Sequence, residues 1–175
     1  SLDIAGDAVS MAGWVKIDQL PSAMSGSFGP IYDSDEDAYI LYLDKANAEL
    51  RFKVTDDDGD AERPGIPESD LTVGTWMHIA GVYNGYDAMI YLNGELVDYH
   101  SNSDIDVLLT GQAAQFGHND ANYFDGSIDD FRIYSRILSP QEIMELYMGG
   151  SSSCSLIADE NFSFAQSRTP SFKNN

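Results

Sequence analysis

Two acidic clusters carry the residues whose types and spacing most clearly suggest chemistry. The first contains Asp33, Asp35 and Asp37, and the second contains Asp56, Asp57, Asp58 and Asp60. Hard cations such as Ca²⁺ bind several carboxylate and carbonyl oxygens, and acids spaced along one loop can converge on a single ion. Neither cluster is an EF-hand; in the first, Ala38 occupies the position of the glycine that such a loop requires. The sequence therefore predicts bound Ca²⁺ at these loops, with solvated turn residues as the alternative interpretation.

Aromatic and polar side chains near these loops could form a carbohydrate site. A sugar places its apolar ring face on an aromatic side chain and its hydroxyls on polar groups. Tyr32 lies beside the first acidic cluster, and Tyr123 follows His118 and Asn119 in a predicted rim loop. We expect these four residues to bind the ligand; the alternative is that both tyrosines are ordinary, partly buried residues. The two tryptophans, Trp14 and Trp76, fall within predicted strands and are expected in the core.

The chain lacks the sequence motifs of the common catalytic sites. It contains no Gly-x-Ser-x-Gly turn, no His-Glu-x-x-His helix and no glycine-rich phosphate loop. The histidines His78, His100 and His118 are scattered, and His78 shares a predicted strand face with Trp76. We therefore expect His78 to be structural and the protein not to be an enzyme.

The net charge limits the classes of partner. The formal net charge is −20, from 29 acidic and 9 basic residues. A field this negative repels nucleic-acid phosphates and anionic lipids. No apolar run approaches the ~20 residues of a membrane helix, and the first residues lack the basic and apolar regions of a signal peptide. Cys154 is the single cysteine, so no disulfide can form within the chain. We expect neither a nucleic-acid partner nor membrane insertion.

Alternation of apolar and polar residues predicts strands along most of the chain. The predicted strands cover residues 8–17, 38–43, 48–54, 75–83, 88–92, 95–99, 113–117 and 124–134. Asn84-Gly85 and Asn93-Gly94 each separate two apolar runs, which is the pattern of a tight hairpin. Because Asn and Gly tolerate positive φ, a type I′ turn is expected at both places. Residues 75–99 are therefore predicted to form a three-stranded antiparallel meander.

A short helix is predicted after the last strand. Ser139 suits the N-cap, Pro140 the first helical position, and Glu142 completes a capping box. Many short strands and one small helix indicate an all-β domain, a two-sheet antiparallel β-sandwich. Residues 1–149 are assigned to this domain, and residues 150–175 to a Ser-rich linker and weakly ordered tail.

Four segments of the sequence carry a resemblance to a known family. They are WVK at 14–16, GTWMHIAGVYNG at 74–85, IYLNGELV at 90–97 and FDGSIDDFRIY at 124–134. As an ordered set they resemble the laminin G-like domains of the concanavalin A-like lectin superfamily, a pattern that also recurs in pentraxins. The resemblance covers about residues 1–148 and implies a jelly-roll sandwich. The family usually has a further strand before the one at Trp14; either it is missing here or the tail replaces it.

The resemblance also implies particular site residues. Laminin G-like domains often hold a rim Ca²⁺ in the loop position that residues 56–60 occupy here, opposite a second loop at residues 102–110. Related glucanases use an Asp of the final strand in a structural calcium site, a role that Asp129 could fill; otherwise Asp129 pairs with Arg132 or a backbone amide. The glucanases' catalytic triplet of Glu, Asp and Glu is not found here.

These expectations combine into one predicted function. The protein is expected to be a non-catalytic, calcium-binding carbohydrate-recognition module of a secreted or cell-surface protein, within a larger multidomain chain. The alternative is a protein-interaction or adhesion module of the same fold without a sugar site. In both cases the partner would be an extracellular glycan or protein.

Overall fold

The computed structural model describes residues 8–34, 38–55, 59–101, 115–119 and 122–149. Its strands are β1 (Val9–Ile17), β2 (Phe28–Asp33), β3 (Tyr39–Asp44), β4 (Glu49–Thr55), β5 (Ala61–Glu62), β6 (Gly65–Pro67), β7 (Met77–Tyr83), β8 (Asp87–Leu92), β9 (Glu95–Ser101), β10 (Gln115–Phe116), β11 (His118–Asn119), β12 (Asn122–Tyr123) and β13 (Gly126–Tyr134). One α-helix follows, α1 (Pro140–Tyr147), and short 3₁₀ turns lie at Pro21–Ala23 and Glu68–Asp70.

The strands form two main antiparallel sheets that enclose one core, which confirms the predicted β-sandwich. The first sheet has the order β13-β1-β7-β8-β9. The second has the order β10-β2-β3-β4-β5, and β6 also pairs with β4. A separate two-stranded ribbon joins β11 to β12. The two sheets approach closely at Gly81 in β7, against which the ring of Phe52 in β4 packs. A Cβ on Gly81 would lie only 2.6 Å from that ring.

The alternation in β1 places one set of side chains in this core, as predicted. Val9, Met11, Val15 and Ile17 are all fully buried between the sheets. The opposite face of β1 is also largely covered, because α1 lies across it. Ser10 Oγ donates a hydrogen bond to Arg136 O over 2.8 Å and accepts one from Leu138 N over 2.9 Å. These two bonds attach the chain entering α1 to the first sheet.

The meander formed by β7, β8 and β9 is also confirmed. Its second turn is of the predicted type I′, since Asn93 and Gly94 have φ values of 51° and 87°. The first turn differs from that expectation. Only Gly85 has a positive φ, 92°, at the first central position, which is the pattern of a type II′ turn. Asn84 Oδ1 shapes it by accepting from the backbone N–H groups of Tyr86 and Asp87.

The pairing of the last strand with the first contains a bulge. The register of β1 and β13 shifts between Ala12 and Trp14, and Asp130 has a φ of 45°. Gly13 is required at this point, because a Cβ there would lie 2.6 Å from Cδ2 and 2.9 Å from Cα of Phe131. The bulge therefore allows the Phe131 ring to pack directly on the β1 backbone.

The predicted helix and its capping box are confirmed. The Ser139 side chain accepts from the Glu142 N–H, and the Glu142 side chain accepts from the Ser139 N–H. Ile143 is fully buried and packs with Ala80, Val82 and Tyr91 of the first sheet's outer face. In the described part of the chain, no helix has the length and apolar character needed to cross a bilayer. The segment assigned to the linker and tail, residues 150–175, lies outside the described residues.

Candidate functional site

A surface cavity of about 130 Å³ lies at the end of the sandwich where β1 ends and β2 begins. It is lined by Gln19, Met24, Ser25, Gly26, Phe28, Asn122 and Tyr123. The segments that contribute these residues are far apart in sequence and meet only in the folded chain. Amide and hydroxyl side chains, two aromatic rings and a methionine thus surround one shallow space. Aromatic faces beside polar groups are the kind of surface on which sugars and other small ligands bind.

Tyr123 provides the aromatic surface of the cavity. Its side chain is 71% exposed, and it pairs across the β11–β12 ribbon with His118. The two rings have centroids 6.3 Å apart and an interplanar angle of 36°. Asn119 pairs with Asn122 in the same ribbon. Three of the four predicted ligand-binding residues, His118, Asn119 and Tyr123, are therefore brought together on one small ribbon.

Backbone hydrogen bonds fix the ribbon to the second sheet. Gly117 N donates to Ile31 O over 3.0 Å, so the chain continues along β2 beyond β10. Phe124 N then donates to Gly117 O over 2.8 Å and closes the base of the ribbon. Gly117 has a φ of 71°, a value that glycine adopts without strain. The exposed Tyr123 ring thus stands on a well-anchored support.

A polar pair lies beside Tyr123 at the same end of the molecule. Gln19 Nε2 donates to Asp125 Oδ2 over 3.1 Å in an exposed bond. The backbone reinforces this contact, because Asp18 N donates to Asp125 O over 3.0 Å. The pair supplies amide and carboxylate groups of the kind that bind sugar hydroxyls. The sequence did not indicate this pair, because 106 positions separate its members.

The loop on the other side of the cavity is held by three contacts. Lys45 Nζ donates to Met24 O, and Lys45 N donates to Ser27 O over 3.2 Å. The Glu68 carboxylate accepts from both the backbone N–H and the hydroxyl of Ser22, each over 3.0 Å. These bonds order the loop before any ligand arrives, which lowers the entropy cost of binding.

The structure corrects the expectation of an exposed Tyr32 ring. Tyr32 is 1% exposed, because it belongs to β2, a strand that the alternation of apolar and polar residues does not indicate. Its ring is stacked at 5.9 Å from Tyr39 and 5.5 Å from Phe131, and Phe116 meets it edge-on at 5.0 Å. Burial raises the pKa of the Tyr32 hydroxyl. The residue is part of the core and has no ring face for a sugar.

The described residues hold only part of the predicted metal set. Asp33 is 1% exposed at the end of β2, whereas Asp60 and Asp129 are exposed. Asp129 Oδ1 accepts from Asp130 N over 2.8 Å, which matches the backbone-amide alternative for this residue. Asp35, Asp37, Asp56, Asp57 and Asp58 lie outside the described residues. Within the described ranges no three His, Cys, Asp or Glu side chains come close enough to hold a metal ion, and calcium binding stays a prediction.

A second cavity, of about 180 Å³, lies between α1 and the end of β13. Two of its charged groups form an ion pair: Arg136 Nη2 lies 2.8 Å from Glu142 Oε1, and the guanidinium is 5.4 Å from the Tyr134 ring. Hydrogen bonds from Arg136 and then from Ser139 lower the pKa of the Glu142 carboxyl to about 2. These contacts attach the helix to the sheet, and we assign the cavity no ligand.

Trp76 is also placed differently from the expectation. The strand β7 begins at Met77, so Trp76 lies just before it and is 41% exposed rather than in the core. The Lys16 ammonium is 5.4 Å from its ring centroid, within the range of a cation–π contact. Trp14 is half-buried on the same face, between His78 and Tyr147, with ring centroids 5.5 and 5.8 Å away.

Comparisons with known proteins agree with this architecture. A search of curated protein sequences finds no match. Among solved structures, the chain is similar to the binding domain of botulinum neurotoxin serotype D, with 21% identity and a TM-score of 0.69 over 85% of this chain and 37% of that one. It is also similar to the binding domain of Paraclostridial Mosquitocidal Protein 1, with 18% identity and a TM-score of 0.66 over 82% and 37% of the two chains.

A third similar structure is the botulinum neurotoxin serotype D ligand-binding domain in complex with N-acetylneuraminic acid. It shares 20% identity and a TM-score of 0.64 over 81% of this chain and 36% of that one. The chain thus spans little more than a third of each of these structures, and at such identities the likeness concerns the fold. The family model for the concanavalin A-like lectin/glucanases superfamily matches residues 1–144, as the sequence motifs predicted. The chain therefore belongs to the concanavalin A-like lectin/glucanase superfamily.

Proposed function

We propose that this domain is a non-catalytic carbohydrate-recognition module that binds its glycan at the cavity beside Tyr123. The observation that carries the proposal is the 71% exposure of Tyr123 next to a space lined by Gln19, Ser25 and Asn122. A tyrosine left this exposed offers a face on which the C–H groups of a sugar ring can stack. The neighbouring amides both donate and accept hydrogen bonds, as hydroxyl recognition requires.

Membership of the lectin and glucanase superfamily supports a glycan ligand, and one similar structure is a complex with N-acetylneuraminic acid. The absence of catalysis is supported by the cavity's composition. Glycoside hydrolysis requires two carboxyl groups about 5 to 9.5 Å apart. The described residues that line the cavity include no carboxylate, and Asp125 beside them is bonded to Gln19.

The setting of the module is also part of the proposal. We place it in an extracellular protein, secreted or on the cell surface, where it would be one of several domains.

We further propose that Ca²⁺ binds the acidic loops at residues 33–37 and 56–60, whose carboxylates suit a hard cation. Ca²⁺ bound there would neutralise part of the acidic charge of these loops.

A protein-interaction or adhesion role is the second candidate, and strand β9 favours it. β9 lies at the edge of the first sheet, and its residues Leu96, Val97 and Tyr99 are 50%, 37% and 59% exposed. Exposed apolar side chains along one strand are typical of surfaces that contact other proteins. Binding to a protein through β9 with no glycan affinity would favour this candidate.

A glycan array covering plant, algal and animal glycans, in the presence of calcium, tests the main proposal. Binding of the best hit is then measured by calorimetry for the wild type, Tyr123→Ala and Tyr86→Ala. Tyr86 is a matched control, since it is 63% exposed but lies in the β7–β8 turn at the opposite end of the sandwich.

We expect Tyr123→Ala to lower affinity at least about tenfold, equivalent to ~1.4 kcal/mol, and Tyr86→Ala to leave it unchanged. Equal affinities for the wild type and Tyr123→Ala would rule out this site. Release of reducing ends from any bound glycan by the purified protein would overturn the non-catalytic assignment.

A further inference from the structure

We infer that the glycan-binding surface extends from the Tyr123 cavity to a second aromatic plate formed by Trp76 with Lys16, and that the ligand is therefore an oligosaccharide chain. This inference rests on the proposed function, because it extends the same site. It names the class of ligand that the site takes: a chain of several sugar units with few or no acidic groups.

The second plate is an exposed ring beside a cation. Trp76 is 41% exposed, although tryptophan is usually among the more buried residue types. The Lys16 ammonium lies 5.4 Å from the ring centroid, within the range of a cation–π contact. This contact restrains the ring, and the ammonium remains a donor for sugar oxygens. The Trp76 ring and the Lys16 ammonium thus combine an aromatic face with a hydrogen-bond donor, as the Tyr123 cavity does.

The position of α1 explains why this plate is exposed. In the register of β1 and β7, Trp14 is opposite His78. Lys16 and Trp76 contact each other just beyond the last paired residues, Val15 and Met77. Tyr147, the last residue of α1, contacts Trp14 and His78. The helix therefore ends over Trp14 and His78, and Trp76 lies beyond the end of the helix.

The two plates belong to the same end of the sandwich. Asp18 N donates to Asp125 O over 3.0 Å, and Gly74 N donates to Ile17 O over 2.9 Å. The segment before β13, the end of β1 and the segment before β7 therefore lie side by side. Neighbouring strands are about 4.8 Å apart and residues along a strand about 3.3 Å. Asp125 and Gly74 lie on either side of the end of β1, so two such strand spacings, about 10 Å, separate the segment that follows Tyr123 from the segment that precedes Trp76.

One sugar ring, about as wide as an aromatic side chain, cannot cover both plates. A chain of several units can, and it would cross the polar groups of Gln19, Asp125 and Asp18. The amide of Gln19 and the carboxylates of both aspartates accept or donate hydrogen bonds to hydroxyls. The two carboxylates also repel carboxylate or sulfate groups on the part of the ligand that lies between the plates, so neutral sugar units fit that part of the path best.

A chain-length series tests the inference, using mono- to hexasaccharides of the best glycan from the array. We expect wild-type affinity to rise with length and then to reach a plateau. Trp76→Ala should lower affinity for the longest chains about tenfold and leave the mono- and disaccharide unchanged. Tyr123→Ala should weaken binding at every length. Trp76→Tyr should keep most of the long-chain affinity, because it retains an aromatic face.

Val73→Ala is the matched control, because Val73 is 44% exposed in the same approach to β7 but carries no aromatic ring. Melting curves verify that each variant is folded. If Trp76→Ala binds long chains as the wild type does, or if wild-type affinity does not depend on length, the second plate is refuted while the Tyr123 site stands. Absence of glycan binding by the wild type at any length overturns the proposed function and this inference together.

Discussion

Acidification should destabilise this domain through His78. The side chain is 2% exposed on the outer face of the first sheet, between Trp14 and Tyr147. Its Nδ1 atom has no hydrogen-bond partner among the described residues. Burial lowers the pKa of His78 to about 4; the Asp130 carboxylate opposes this shift and the Arg132 guanidinium adds to it. The imidazole is therefore neutral in the folded protein at pH 7.

The direction and size of the effect follow from the two pKa values. In the unfolded chain His78 has its ordinary pKa of about 6.5, so below that pH the unfolded state binds the proton more readily than the folded state. The contribution to stability is complete above about pH 6.5 and is lost progressively down to about pH 4. The shift corresponds to roughly 3 kcal/mol in total, of which roughly 2 kcal/mol is lost by pH 5.

Urea unfolding at pH 7.5, 6 and 5 provides the assay, with tryptophan fluorescence as the signal because Trp14 touches His78. The comparison variant is His78→Phe, which keeps an aromatic ring and removes the titrating group. The wild type should lose about 2 kcal/mol more than the variant between pH 7.5 and pH 5. The quantity compared between the two proteins is the change in the free energy of unfolding with pH. Any destabilisation by the substitution that does not depend on pH therefore cancels. Equal losses for the two proteins would refute the assignment of a neutral, buried His78.

Three further predictions follow from other features. Gly13→Ala should cost about 1–3 kcal/mol of stability, because the added Cβ would lie 2.6 Å from the Phe131 ring. Gly26→Ala is the control and should melt like the wild type, because its added Cβ would have no atom nearer than 3.7 Å. Equal melting temperatures for Gly13→Ala and the wild type would contradict the close β1–β13 packing. Ser139→Ala should cost about 1 kcal/mol by removing the helix cap, and an unchanged melting temperature would show that the cap contributes nothing. Millimolar Ca²⁺ should raise the melting temperature relative to chelator, and no shift would argue against an ordered calcium site.

The fold could be predicted from the sequence because its strongest signals are local. Alternation in β1, the Asn93-Gly94 turn and the capping box at Ser139 each depend on residues a few positions apart. Strand β2 was missed because Gly29 and Pro30 interrupt its apolar pattern. The structure accommodates them with a register irregularity between Pro30 and Tyr32.

The site could be predicted only where its residues are neighbours in sequence. His118, Asn119 and Tyr123 lie within six positions and share one ribbon. The contact between Gln19 and Asp125 depends on the pairing of the first and last strands, which no local pattern reveals. Trp76 was assigned to the core because alternation indicates which face a residue occupies but not how far α1 covers that face.

The position of β1 between β7 and β13 has a consequence for biosynthesis. During translation β1 can pair with β7 once residue 83 has emerged, but its other edge is completed only by residues 126–134. Roughly 50 further residues must be made in between, which takes roughly 3 to 10 seconds at ~5–20 residues per second. In that interval β1 exposes an unpaired edge next to apolar side chains, which makes the nascent domain vulnerable to aggregation. The contact between Gln19 and Asp125 forms only with that pairing of β1 and β13, so the proposed glycan site cannot be complete before β13 has been made.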